Sequence, residues 1–81
     1  VIEDLCFIVK PKSQVGHLIR LIKQVSSIIR SVELIDSFNN QRTLRITYQH
    51  TKRNLSDKEV QKIRQKIVMK ASALGWKLKS E

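Results

Sequence analysis

The sequence has few of the residues that cross-link, break or anchor a chain. A single cysteine, Cys6, in 81 residues allows no intrachain disulfide. Cys6 lies in an apolar stretch, which suits a reducing compartment and reads as a small, inert core residue. Proline occurs once (Pro11) and glycine twice (Gly16 and Gly75), so there is no linker or low-complexity tract. Apolar runs are broken by Lys, Arg or Ser every few residues, so none is expected to span a membrane. The opening "VIEDLCFIVK" carries acids and reads as a strand rather than a secretory leader. Val1 comes first and Met69 is the sole methionine, so the chain is expected to be a piece of a longer polypeptide.

Reactive groups are equally sparse. His17 and His50 are far apart on different elements, and Cys6 has no partner at metal-binding spacing. No G-x-G-x-x-G, P-loop or EF-hand pattern occurs, and no Ser/His/Asp set or carboxylate pair can be assembled. The domain is therefore expected not to be a catalyst by itself and to hold no metal. Only Phe7, Phe38, Tyr48 and Trp76 are aromatic, and Tyr48 and Trp76 fall at core positions of their segments. That argues against an RNA-recognition motif, which needs exposed rings on its central strands. Acidic residues number 7 against 16 Lys and Arg, a net charge of +9.

What is present is one good core. A hydrophobic content of 41% over 81 residues supports a single domain, residues 1–81. Such a chain buries roughly 60–65% of its unfolded surface, too little for a deep catalytic cleft. Leu5, Phe7 and Val9 alternate in a first strand over residues 2–9. After Pro11, Ser13 is the expected N-cap of a helix carrying Val15, Leu18, Ile19, Ile22 and Val25 at spacings of three and four. Residues 28–38 return to strand chemistry, with Val32 and Leu34 in alternation, and "NNQR" (39–42) reads as a hairpin loop. Residues 43–49 place Leu44, Ile46 and Tyr48 in phase. Ser56 and Glu59 have capping-box spacing ahead of Val60, Ile63, Ile67, Ala71 and Leu74, and Gly75 is placed to end that helix. "WKLK" (76–79) alternates as a last short strand. The order β-α-β-β-α-β is the α+β, ferredoxin-like arrangement: a four-stranded antiparallel sheet, two helices on one face, the other face open.

Charge and alternation then point outward. Residues 1–40 carry five Lys/Arg against four Asp/Glu, whereas residues 41–81 carry eleven against three. A one-sided basic surface favours a polyanion, most often RNA or DNA. With Leu44, Ile46 and Tyr48 inward, Thr43, Arg45, Thr47 and Gln49 look outward, and Lys77 and Lys79 do so on the last strand. Lys52, Arg53 and Lys58 are further candidates for phosphate contacts, alongside Arg45, Lys77 and Lys79. Asp36 and Phe38, two apart at the end of their strand, point the same way and could form a small platform for something flat and polar.

"DLCFIV", "SVELIDSF", "RTLRITY" and "NLSDKEV", in this order, resemble the ferredoxin-fold anticodon-binding domain. That domain ends the β chain of bacterial-type phenylalanyl-tRNA synthetases and the single-chain organellar enzymes, and the resemblance covers essentially the whole sequence. It implies a module that binds the anticodon stem-loop of tRNA(Phe). Its partners would be the rest of the β chain and the α subunit, in the cytoplasm or an organelle, away from membranes. No cofactor is implied for the domain, while ATP and magnesium serve the ligase elsewhere. The family's Asp-x-Tyr falls on Asp36 and Phe38, and its Ser before the third strand on Thr43. There the ring stacks on an anticodon base, with the acid and hydroxyl within hydrogen-bonding reach. Here Phe replaces Tyr, Thr replaces Ser, and "NNQR" is shorter than the usual loop. The rival expectation is a ferredoxin-like regulatory or oligomerising module, whose apolar open face would use Cys6, Ile8 and Ile35 to hold a small ligand or another chain.

Overall fold

A computed structural model describes residues 1–10, 14–50 and 54–79. Its elements are β1 (Ile2–Ile8), α1 (Val15–Lys23), β2 (Ile29–Phe38), β3 (Gln41–Tyr48), α2 (Asp57–Ala73) and β4 (Lys77–Leu78). All pairings are antiparallel, and the four strands lie in the order β2-β3-β1-β4. This is the expected ferredoxin-like α+β fold. One core joins Leu5, Phe7, Leu44, Ile46 and Tyr48 of the sheet to Leu18 and Ile22 of α1 and Val60, Ile63, Ile67 and Ala71 of α2. Each fully buried Leu or Ile there contributes about 1.5–3 kcal/mol. No polar or charged residue is buried among the described residues. No helix among them is long and apolar enough to cross a membrane.

The ends of α2 follow local chemistry closely. The Glu59 N–H donates to Ser56 Oγ at 3.3 Å, and the Ser56 N–H donates to Glu59 Oε1 at 3.4 Å, completing the capping box. At the other end the Gly75 N–H reaches the Ser72 carbonyl at 3.0 Å, and Gly75 takes a φ of +87°, which turns the following residue back. The Trp76 N–H reaches the Ala71 carbonyl at 2.9 Å, closing the last turn. That reversal drops Trp76 back into the core, its ring edge-on to Phe7 at 6.3 Å. A half-buried cluster ties three elements together. Tyr48 Oη donates to Glu3 Oε1 at 3.1 Å, and Arg64 Nε donates to the same oxygen at 2.9 Å. The second Arg64 nitrogen donates to Glu3 Oε2. Burial and the neighbouring Glu3 carboxylate push the Tyr48 phenol well above its ordinary range.

Several boundaries differ from the sequence reading. Gln14, not Ser13, holds the N-cap position of α1, and it makes no side-chain cap; Ser13 itself lies outside the described residues. Helix α1 stops at Lys23, so Val25 packs on the core from beyond the helix. The hairpin turn is Asn39–Asn40 alone, because Gln41 and Arg42 already belong to β3. Asn39 supplies the left-handed conformation, φ 52°, that so short a turn demands. Arg42 explains the tightness: its guanidinium donates to the Asn39 and Gln41 carbonyls, both at 2.8 Å. The final strand is Lys77–Leu78 only, flanked by Trp76 and Lys79.

The largest departure lies inside β2. Val32 pairs with Ile46 and Leu34 with Leu44, so both belong to the helix-covered face. Strict alternation would carry Asp36 and Phe38 to that same face. Instead the register shifts between Leu34 and Asp36, and Ile35 has no partner on β3. Asp36 then pairs with Thr43 and Phe38 with Gln41, both on the open face. One unpaired residue reverses the parity of the strand end.

The capping box gives a direct test of how α2 begins. Ser56→Ala should cost about 1 kcal/mol of stability. Thermal unfolding followed by circular dichroism should show a transition several degrees lower, roughly 4–8 °C for a domain of this size. An unchanged midpoint would mean that α2 starts elsewhere.

Candidate nucleic-acid interface

Residues directly opposite one another in an antiparallel pair project to the same side. The pairings therefore read off the open face row by row. Phe38, Gln41, Ile8 and Lys77 cross all four strands in the row nearest the hairpin. Asp36, Thr43 and Cys6 form the next row. Lys79 extends that row, since its N–H donates to the Cys6 carbonyl at 2.8 Å. Glu33, Arg45 and Asp4 make the third. Five of the residues singled out from sequence, Asp36, Phe38, Thr43, Lys77 and Lys79, thus fall in two adjacent rows.

The chemistry of these rows is mixed and solvent-facing. The Phe38 ring is 66% exposed, the most open aromatic of the domain. Ile8 is 40% exposed further along the same row, with Gln41 between it and the ring and Lys77 on its other side. Asp36 Oδ1 accepts from the Ser37 N–H at 2.9 Å, which fixes the carboxylate and leaves its other oxygen without a donor among the described residues. Gln41 Oε1 accepts from Lys79 Nζ at 3.4 Å and faces the Cys6 thiol at 3.9 Å. With that oxygen turned toward donors, the Gln41 amide nitrogen keeps its hydrogens for an outside acceptor. An aromatic face, a fixed acceptor, a hydroxyl and an amide donor within two rows can hold an unpaired planar base on both its face and its edge.

The remaining candidates are placed differently. Arg45 faces outward as expected, but its fork is taken by Asp4, Nε to Oδ1 at 3.0 Å and the second nitrogen to Oδ2 at 3.2 Å. Lys58 lies in the first turn of α2, on the helix layer and away from these rows. Lys52 and Arg53 lie outside the described residues. Sequence reasoning missed Gln41 by leaving it in the loop. The signal was there, because a two-residue Asn-Asn turn puts Gln41 directly opposite Phe38. No group of three or more His, Cys, Asp or Glu that could hold a metal occurs among the described residues. A groove of about 740 Å³ runs along α2 past Val68 and Met69 and touches none of the platform residues.

The Asp4–Arg45 pair has a titration signature. The Arg45 guanidinium holds the Asp4 carboxyl below the usual carboxylate range. A carboxyl with a depressed folded-state pKa adds stability above its unfolded pKa and loses it as pH falls through the folded value. In a pH titration by carboxyl-carbon NMR, Asp4 should titrate below an ordinary aspartate, and Arg45→Gln should return it to that range. An Asp4 curve unmoved by Arg45→Gln would dismiss the pair.

Comparison with known proteins agrees with this geometry. No curated protein matches the chain significantly. The family model of the ferredoxin-fold anticodon binding domain matches residues 1–79, which takes in every strand, both helices and all the platform residues. The chain belongs to the ferredoxin-fold anticodon-binding domain family.

Proposed function

We propose that this chain is the tRNA-binding module of a phenylalanine–tRNA ligase, holding the anticodon stem-loop of tRNA(Phe) while other parts of the enzyme perform aminoacylation. The observation that carries the reading is the Phe38 ring, exposed on the open face with Asp36 and Thr43 in the next row. An anticodon base unstacked from its loop would lie against the ring. Asp36 would accept from donors on the base edge, while the Thr43 hydroxyl can give or take a hydrogen bond there. Lys77 and Lys79, at the far end of the same two rows, would meet the sugar–phosphate backbone. The rest of a β chain and an α subunit would supply the ATP and magnesium sites, in the cytoplasm or an organelle. The regulatory or oligomerising alternative has Ile8 and Ile35 partly exposed in its favour, at 40% and 39%. Lysines at one end of the two rows and Asp36 at the other suit it less well than they suit RNA.

Two measurements test the proposal. Phe38→Ala should weaken binding of the tRNA(Phe) anticodon hairpin by about 1–3 kcal/mol, the usual worth of one stacked base, while Phe38→Tyr should change it little. Equal affinities for the Ala and Tyr variants would remove the platform.

The second separates positioning from reading. Lys77→Gln with Lys79→Gln should lower affinity for cognate and non-cognate anticodon hairpins alike. The slope of log K against log salt should fall by roughly 0.7 for each phosphate that is no longer neutralised. Asp36→Ala should instead narrow the difference between cognate and non-cognate hairpins and leave the salt slope nearly intact. If neither change moves these quantities, the alternative reading takes precedence.

A further inference from the structure

Helix α2 carries a second basic surface on the other layer of the domain. Its buried positions are Val60, Ile63, Ile67 and Ala71. Lys58, Lys62, Lys66 and Lys70 recur at every fourth residue, and all four are exposed. Residues four apart on a helix are neighbours, so the lysines form one row about 18 Å long. None of the four has an ion-pair or hydrogen-bond partner among the described residues.

The row is costly to keep without a partner. Like charges four apart destabilise a helix, and a face that only keeps a domain in solution mixes both signs. Here Asp57 and Glu59 flank Lys58, yet no Asp or Glu occurs from residue 60 to residue 79. At its far end the row continues toward the end of α1, where Gln24 and Val25 share a groove with Lys66 and Lys70.

We infer that the Lys58–Lys70 row is a second RNA-binding surface, one that takes the phosphate backbone of a double-stranded stem. Three features select that occupant. Successive lysines are about 6 Å apart along a straight axis, a separation similar to that of successive phosphates along one strand. Lysine offers a point charge that contacts phosphate without reading base edges. The exposed residues of α2 include no aromatic ring, the feature that holds unpaired bases, so stacked and paired RNA fits and a single-stranded loop does not. The open sheet face has the opposite character, with Phe38 exposed on it. The two surfaces lie on opposite layers of a domain only 22–25 Å across its shorter axes. The row therefore takes a different stretch of RNA from the one on the sheet.

The test uses a short blunt-ended RNA duplex with no unpaired base, titrated into the chain and followed through backbone amide NMR shifts. Shifts should concentrate on the outer face of α2 and leave the Phe38 and Asp36 rows unchanged. Lys62→Gln with Lys66→Gln and Lys70→Gln should weaken duplex binding at least ~10-fold at low salt, and lower the log K–log salt slope by roughly 2–3 for three phosphates left unneutralised. The matching Lys→Arg triple should retain binding. Thermal melting of the Gln triple should be no lower than that of the parent, because like-charge neighbours have been removed. Phe38→Ala should leave duplex binding intact, so this inference and the anticodon-loop reading fail separately. Duplex-induced shifts on the sheet face, an unchanged salt slope in the Gln triple, or binding to anionic lipid vesicles with none to the duplex would each overturn it.

Discussion

A sheet covered on one face forces every strand residue to choose between core and solvent, and in this domain one unpaired residue makes that choice for the binding face. The pleat repeats every two residues, so a carboxylate in phase with Val32 and Leu34 would face the helix layer. The shift at Ile35 moves Asp36 and Phe38 out of that phase together and puts both on the open side. Because β2 is an edge strand, the extra residue disrupts pairing on one side only, the least costly place for it. Downstream, Arg42 clamps the Asn39–Asn40 turn through two carbonyls, which holds the backbone at the end of the hairpin that carries Phe38. A platform that must present a flat ring needs that stiffness, since any ordering left for the moment of binding subtracts from affinity.

The far side of the same rows depends on the end of α2. The left-handed Gly75 reverses the chain within one residue, and Trp76 enters the core against Phe7. From there alternation alone decides the rest: Leu78 packs on the core while Lys77 and Lys79 face outward beside Ile8 and Cys6. Replacing Gly75 by Ala meets no steric obstacle within 4 Å, so its penalty is the backbone conformation itself, about 1–2 kcal/mol. The lysines of the platform are thus positioned by a core tryptophan and a helix cap, and stability and binding geometry share the same residues.

Much of this is local enough to read from sequence. The periodicities of Leu5–Phe7–Val9, Leu44–Ile46–Tyr48 and Val60–Ile63–Ile67–Ala71 identify the core, and Ser56–Glu59 and Gly75 bound α2, because each depends on residues within a turn or two. The bulge at Ile35 was not legible, since it is fixed by what β3 offers opposite β2 rather than by β2 itself. Arg45 shows the same limit. Its outward direction follows from alternation, but its partner Asp4 lies 41 residues away and is set by the β1–β3 register. Gln41 escaped because loop and strand were divided by composition, while the turn is set by two asparagines and an arginine clamp.

The basic half of the chain divides its cations by side-chain type. Its described arginines, Arg42, Arg45 and Arg64, all bond within the protein: to turn carbonyls, to Asp4 and to Glu3. A planar fork suits such fixed, two-point contacts. The lysines do not follow that pattern. Of Lys58, Lys62, Lys66, Lys70, Lys77 and Lys79, only Lys79 bonds to another side chain, Gln41, and none pairs with an acid among the described residues. Arginines therefore commit their charge to architecture, and lysines keep theirs available. A flexible ammonium adapts to a phosphate backbone but carries no information about sequence. On the reading proposed above, selectivity must then rest on the few uncharged or acidic groups around one ring, Asp36, Thr43 and Gln41 beside Phe38, whose positions the bulge and the clamped turn determine.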